Sequence, residues 1–227
     1  MKITYYGHSC FACEINGKNI LFDPFITPNQ NAKNIDISSI KADYIFISHG
    51  HEDHIADAVA IALNTKALVI ANWEIHTWLN NKGVSNTHPM NAGGSKIFDF
   101  GKVKLTNAVH SSGLPDGTYG GNPVGFIIES SEGNFYYSGD TALHLDMKLI
   151  AEFHQLNFAI LPIGDNFTMG INDAINAAKF INCNKILGVH YDTFPYIAIE
   201  KQKAIDAFKK EGKELILMNI GEIKDIK

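Results

Sequence analysis

The segment Ser48-His49-Gly50-His51-Glu52-Asp53-His54 follows directly on the apolar run Tyr44-Ile45-Phe46-Ile47. A fold for this chain must therefore end a buried strand at that point and open a polar pocket beyond it. Side chains two apart in an extended segment point the same way, so His49 and His51 can close on one ion. Asp53 and His54 fall at the start of a helix and face a second position beside the first. Few structural needs would crowd such side chains together. The spacing H-x-H-x-D-H reads as part of a two-metal hydrolytic centre, and other segments must supply the missing ligands.

Three candidates share the setting of His49. His110 follows a strand-like run at 103–109, Asp140 follows the apolar Phe135-Tyr136-Tyr137 and Ser138-Gly139, and His190 follows the apolar run at 186–189. Strand ends hold loop residues on a rigid frame and let segments distant in sequence converge. On this reading His49, His51 and His110 make one three-nitrogen site. Asp53, His54 and His190 make a second, and Asp140 bridges the two. Imidazole and carboxylate suit Zn²⁺, Mn²⁺, Fe²⁺ or Ni²⁺, with zinc the first expectation for two divalent ions. Three protein ligands and a bridge leave room for a shared hydroxide, since a metal lowers the pKa of bound water toward about 7.

Composition narrows the function classes. All 19 basic residues are lysine, and the net charge is −5. Without arginine there is no bidentate clamp for phosphate or carboxylate. No basic face for a nucleic-acid backbone is evident, so no nucleic-acid partner is expected. An anionic substrate would have to be held by metal, lysine, hydroxyls or backbone N–H groups. No apolar run approaches the roughly 18 residues of a membrane span. The N-terminal Met1-Lys2-Ile3-Thr4-Tyr5-Tyr6 has the pattern of a strand, not of a signal peptide. A cytoplasmic protein with no membrane partner is the expectation. The three cysteines, Cys10, Cys13 and Cys183, are too few and odd in number for a disulfide scaffold. Cys10 and Cys13 fall on or beside one strand, face opposite sides, and read as small buried residues.

No linker or repeat divides the chain, so residues 1–227 read as one domain. Strands are expected at 2–6, 11–15, 19–22, 44–48, 67–70, 102–108, 124–129, 134–138, 158–161, 185–189 and 215–218. Helices are expected at 53–63, 72–81 (Asn72 as N-cap), 142–152, 172–181 and 197–211. Gly117-Thr118-Tyr119-Gly120-Gly121 reads as a tight hairpin loop. Strand runs with helices in both halves suggest two sheets packed face to face with helices outside.

The series His49-x-His51-x-Asp53-His54, His110, Asp140, His190 resembles the signature of the metallo-β-lactamase superfamily. The resemblance spans nearly the whole chain and implies a four-layer αββα sandwich of two mixed sheets. It also implies that Asp23, in Leu21-Phe22-Asp23-Pro24, supports the ligands without binding metal. A narrower likeness lies in Tyr6-Gly7-His8-Ser9-Cys10-Phe11, Gly93-Gly94-Ser95, His110-Ser111-Ser112-Gly113, Leu161-Pro162-Ile163-Gly164-Asp165-Asn166-Phe167-Thr168-Met169-Gly170 and His190-Tyr191-Asp192-Thr193-Phe194-Pro195. These segments resemble a branch of metal-dependent hydrolases without a settled substrate, similar to L-ascorbate-6-phosphate lactonases. Within the superfamily, flavo-di-iron oxidoreductases carry glutamate at the place of His51, and some classes carry cysteine at the place of Asp140. The histidine and aspartate here disfavour both.

Beside the ligands, the candidate catalytic groups are Asp53, His8 and Asp165. His8, in a turn after the first strand, is read as a hydrogen-bond donor to substrate or product. Asp165 is read as support for a ligating histidine or as a proton carrier. Ser111, Ser112, Asn166, Thr168 and Thr193 flank the ligand segments and are candidates to orient a polar substrate. The expected activity is hydrolysis of an ester-type bond (lactone, carboxylic ester or phosphoester) in a small polar or phosphorylated metabolite by a metal-bridging hydroxide. A phosphodiesterase acting on a nucleotide or lipid head group is the alternative, and a non-catalytic metal-binding protein the rival from another class. A homo-oligomer is compatible with these readings.

Overall fold

Short β-branched and aromatic runs alternate with amphipathic helices, and the computed structural model shows where each buries its apolar face. It describes residues 1–226. The first sheet is built from β1 (Lys2–Gly7), β2 (Cys10–Ile15), β3 (Lys18–Phe22), β4 (Tyr44–Phe46), β5 (Leu68–Ala71) and β6 (Thr87–Pro89). The second holds β7 (Ser95–Phe98), β8 (Gly101–Asn107), β9 (Val124–Ser130), β10 (Gly133–Tyr137), β11 (Phe158–Pro162), β12 (Lys185–Val189) and β13 (Glu214–Ile216). The C-terminal β14 (Ile223–Asp225) returns to the first sheet and pairs with β1. Strand orders are β14-β1-β2-β3-β4-β5-β6 and β13-β12-β11-β10-β9-β8-β7. Each sheet is mixed: β3 to β6 and β10 to β13 run parallel, and the hairpin-linked strands antiparallel.

The inner faces of both sheets share one aromatic-rich core. Phe11 stacks on Phe22 at 4.6 Å and Phe135 on Phe158 at 5.0 Å, Phe46 continues the stack on Phe22, and Phe126 and Tyr137 meet Phe22 edge-on. Helices α1 (Glu52–Ile55), α2 (Ala58–Thr65) and α3 (Trp73–Asn81) cover the outer face of the first sheet through Ile55, Ile61, Ile75 and Leu79. Helices α4 (Met147–Phe153), α5 (Ile171–Phe180) and α6 (Lys201–Lys210) cover the second through Met147, Ala174, Ala178 and Phe208. This is the αββα sandwich expected from the sequence. Cys10 and Cys13 are buried on opposite faces of β2, one under the helices and one in the inter-sheet core.

Three expected helices are corrected, each by a hydrogen bond from elsewhere in the chain. The helix expected at 53–63 is two, because the Asp57 N–H donates to the Pro24 carbonyl and leaves the helical ladder. The helix expected at 142–152 starts at Met147, because the Ala142 N–H is held by the Val109 carbonyl. The helix expected from 197 becomes a 3-10 turn, Pro195–Ile197, and then α6, because the Ile199 N–H donates to Asp192 Oδ1 at 2.9 Å. Asn72 caps α3 as expected, accepting from the Ile75 N–H at 2.9 Å. No helix of the described residues is long and apolar enough to cross a membrane.

Candidate metal centre

Strands β4, β8, β10 and β12 deliver His49, His110, Asp140 and His190 from their carboxyl ends to one place between the sheets. The ring nitrogens of His49, His51 and His110 lie within 4.8 Å of one another, as do the donor atoms of His8, Asp53, His54 and His190. Asp140 sits between these groups. Its Oδ2 is 2.9 Å from His190 Nε2, 3.2 Å from His54 Nε2, 3.7 Å from His110 Nε2 and 4.0 Å from His49 Nε2. One carboxylate oxygen thus faces both sets of imidazoles.

The donors fit a cation. His54 Nε2 and Asp140 Oδ1 are buried without a hydrogen-bond partner, a costly arrangement unless something else occupies their lone pairs. The rings are also turned so that the correct nitrogens point inward. His54 Nδ1–H donates to Asp23 Oδ2 at 2.8 Å, leaving Nε2 free. His49 Nδ1–H donates to Ser48 Oγ at 2.9 Å, and that hydroxyl donates onward to Asp23 Oδ2 at 2.6 Å. Such outer contacts fix the tautomer and raise ligand basicity.

Electrostatics in the metal-free site follow from burial and crowding. Burial drives the His49 pKa well below the histidine range, and the nearby His54 adds to the effect. For His190, burial acts downward, but Asp140 and Asp53 prevail and hold it at about 9. His54 is raised for the same reason, burial being outweighed by Asp140, Asp53 and Asp23. Burial works to raise Asp140 and Asp53, yet the surrounding imidazoles hold both carboxyls well below their usual range.

A family profile described as "Beta-lactamase superfamily domain" matches residues 2–190. The chain belongs to that superfamily. It is 56% identical over 222 residues to a UPF0173 metal-dependent hydrolase of Flavobacterium johnsoniae, covering 98% of both chains. It is 50% identical over 222 residues to one of Methylacidiphilum infernorum, again covering 98% of both. Among solved structures, Igni18, a metallo hydrolase from the archaeon Ignicoccus hospitalis, matches with a TM-score of 0.88 and 34% identity, over 100% of this chain and 99% of that one. The chain is thus a member of a family of metal-dependent hydrolases, with a cluster of histidines and aspartates suited to metal.

Asp23 carries more of the site than a supporting contact suggests. It is fully buried and accepts from the Ser48 N–H (2.7 Å), Ser48 Oγ, His54 Nδ1 and the Tyr137 hydroxyl (2.5 Å). Asp23→Ala should cost on the order of 3–5 kcal/mol in urea denaturation, because it strands buried donors. It should also weaken metal affinity about 10- to 100-fold by freeing the His54 ring. Sequence reading missed Ser48 and Tyr137. Tyr137 lies three residues before Asp140 on the inward-facing side of β10, alongside Phe135, which is the signal that marked it only as core.

His8 reaches the site, but both its nitrogens have protein partners. Nε2 donates to Asp53 Oδ2 at 3.0 Å, and Nδ1 accepts from the Thr193 hydroxyl at 2.9 Å. A neutral ring satisfies both contacts, and burial holds its pKa down at about 4, with His190 adding to the shift. His8 is therefore placed to position Asp53, and both nitrogens that could donate to substrate, as expected from the sequence, are taken up by Thr193 and Asp53. Ser111 lines the cavity over the ligands, its Oγ 3.3 Å from His51 Nε2. Ser112 is buried instead, fastening the ligand loop between the Gly50 N–H and the Gly120 carbonyl.

Asp165, Asn166 and Thr168 are not brought to the ligands. Asp165 is exposed and its Oδ1 accepts from the Asn166 N–H at 2.7 Å. Among the described residues no hydrogen bond joins it to a ligating histidine, and the buried His190 Nδ1 has no partner. The supporting or proton-carrying role expected for Asp165 finds no contact with the candidate ligands among the described residues. Its backbone, with that of Asn166, is left-handed (φ 62° and 57°) and shapes a turn. Asn166 is exposed on that turn, and Thr168 Oγ approaches only the Met169 carbonyl.

Proposed function

We propose that the chain hydrolyses an ester-type bond of a small molecule with two divalent cations, zinc being the first candidate and manganese, iron or nickel the others. His49, His51 and His110 would hold one ion, Asp53, His54 and His190 the other, and Asp140 both. Divalent cations supply Lewis acidity at the bond under attack and activate water at neutral pH. The observation that carries the reading is the placement of Asp140 Oδ2 between the two histidine sets, beneath a cavity of about 640 Å³. Asp53, fixed by His8, forms part of the floor of that cavity together with His51, His110 and His190. His8 and Thr193 hold the Asp53 carboxylate in one orientation, and Asp23 and Ser48 hold the rings of His54 and His49.

Lactone, carboxylic ester and phosphoester substrates fit this arrangement, and a phosphodiesterase acting on a nucleotide or head group is the second reading. The test is metal content together with turnover. Protein loaded with zinc should bind two ions per chain and release product from at least one of a lactone, a carboxylic ester and a phosphodiester. Chelation should remove that activity and readdition restore it. Two bound ions with no turnover of any of these bonds would favour the rival, a non-catalytic metal-binding protein. A cytoplasmic location completes the proposal.

A further inference from the structure

The segment at 161–170 stands out in the sequence yet contributes no candidate ligand. Its geometry gives it another task. After β11 the chain makes a tight turn closed by the bridge between Gly164 and Gly170 and by the Asp165 N–H on the Met169 carbonyl at 3.1 Å. A Cβ at Gly164 would run into the His190 backbone carbonyl, so the start of the turn leaves no room for a larger residue, and one at Gly170 would press on the Asp165 side chain. At its apex Phe167 is 52% exposed. After β12, the next strand of the same sheet, His190 and Asp192 adopt left-handed backbone (φ 55° and 58°). The 3-10 turn that follows leaves Tyr196 75% exposed.

These two turns meet over the candidate metal centre. The Phe167 and Tyr196 rings lie 6.3 Å apart, edge to face, and Phe194 beside them packs edge-on against His8 at 5.5 Å. With Pro195 they wall the cavity whose floor is formed by the ligands. No lysine lines that cavity, and the charged side chains lining it are acidic apart from the histidines. Large aromatic side chains held out of the core by strained turns, converging above a polar floor, have the form of a ligand pocket.

We propose that Phe167, Phe194 and Tyr196 form a subsite for an apolar substituent, so that the substrate is a neutral ester or lactone bearing an alkyl or aryl group. This rests on the hydrolase reading and narrows it. A phosphorylated metabolite would place a second anion against a wall with no cation to meet it. In the reaction one water adds across the acyl C–O bond. The water oxygen joins the acyl carbon, the bond to the leaving oxygen breaks with its electron pair on that oxygen, and the leaving oxygen takes a proton from the water. The carboxylic acid formed then ionises to solvent.

The experiment uses the full chain loaded with zinc and three γ-lactones differing only at the ring substituent: hydrogen, hexyl and phosphooxymethyl. Each methylene placed on the wall should raise kcat/KM by roughly two- to four-fold. The hexyl lactone should therefore exceed the unsubstituted one by about ten-fold or more, with the phosphorylated lactone the poorest. Phe167→Ala and Tyr196→Ala should each erase most of that preference through KM, with metal content and melting temperature unchanged. Phe167→Lys should shift the preference toward the phosphorylated lactone. Equal rates for the three lactones, a preference for the phosphorylated one, or turnover of phosphodiesters alone would overturn the subsite and leave the hydrolase reading standing. Absence of turnover on every lactone, ester and diester would overturn the hydrolase reading and the subsite with it.

Discussion

Asp140→Asn should lower turnover on the order of 10³-fold or more, which would exceed the effect of losing any contact outside the ligand set. Asp140 Oδ2 faces His190, His54, His110 and His49 within 2.9–4.0 Å, so one oxygen serves both halves of the site. The amide of asparagine is almost isosteric, but it carries no charge and turns either a weaker acceptor or an NH₂ toward those nitrogens. Metal content should therefore fall below two ions per chain, measured by elemental analysis of dialysed protein. Thr193→Val is the contrast. It removes a hydroxyl that reaches Asp53 only through His8, and loss of such an outer partner costs about 10- to 100-fold. An Asp140→Asn protein that keeps turnover within about ten-fold of the parent would show that Asp140 does not join the two halves.

What could be read from the sequence, and what could not, divides by the range of the interaction involved. Four candidate ligands could be picked out because each stands just past an apolar run, and the strands that carry them, β4 in one sheet and β8, β10 and β12 in the other, end on the same side of the sandwich. The inter-sheet core was legible from alternation in β2 and β8 and from the unbroken apolar run that ends β10. The strands that escaped, β6, β7 and β14, are short edge segments, half-buried in β6 and mostly exposed in β7 and β14, so no alternating apolar face announces them. Helix boundaries escaped where a distant carbonyl captured an N–H, as Pro24 does at Asp57 and Val109 at Ala142. Local propensity holds no record of such partners. Asp165 lies apart from the candidate ligands for a related reason. An acidic residue in a distinctive motif suggests chemistry, but here the motif shapes backbone: left-handed residues at 165 and 166 and a glycine at 164 whose Cβ would run into the His190 carbonyl.

Metal-free protein should be most stable near pH 6.5 and lose stability on both sides. His190 is raised to about 9 in the folded state: burial lowers it, and Asp140 and Asp53 more than offset that. Its unfolded value is about 6.5. The stabilisation is therefore complete below about 6.5 and disappears as pH rises through about 9, because the folded state binds the additional proton. His54, raised by the same carboxylates, acts with the same sign. His8 runs the other way. Burial, with help from His190, lowers it to about 4, so its contribution is present above about 6.5 and is lost as pH falls through about 4. Each shift corresponds to about 3 kcal/mol. Metal should reverse the alkaline limb. Ligands bind as unprotonated imidazoles, so loading releases protons and affinity rises with pH. Urea midpoints at pH 6.5, 8 and 9.5 should therefore fall in the presence of chelator and hold or rise with excess zinc. Proton release on loading, followed with a pH indicator in weak buffer at pH 7.5, should approach one or more per chain. A chelated protein whose midpoint stays level between pH 6.5 and 9.5 would mean that Asp140 and Asp53 do not hold a proton on His190, and the close packing of carboxylates and imidazoles would need another account.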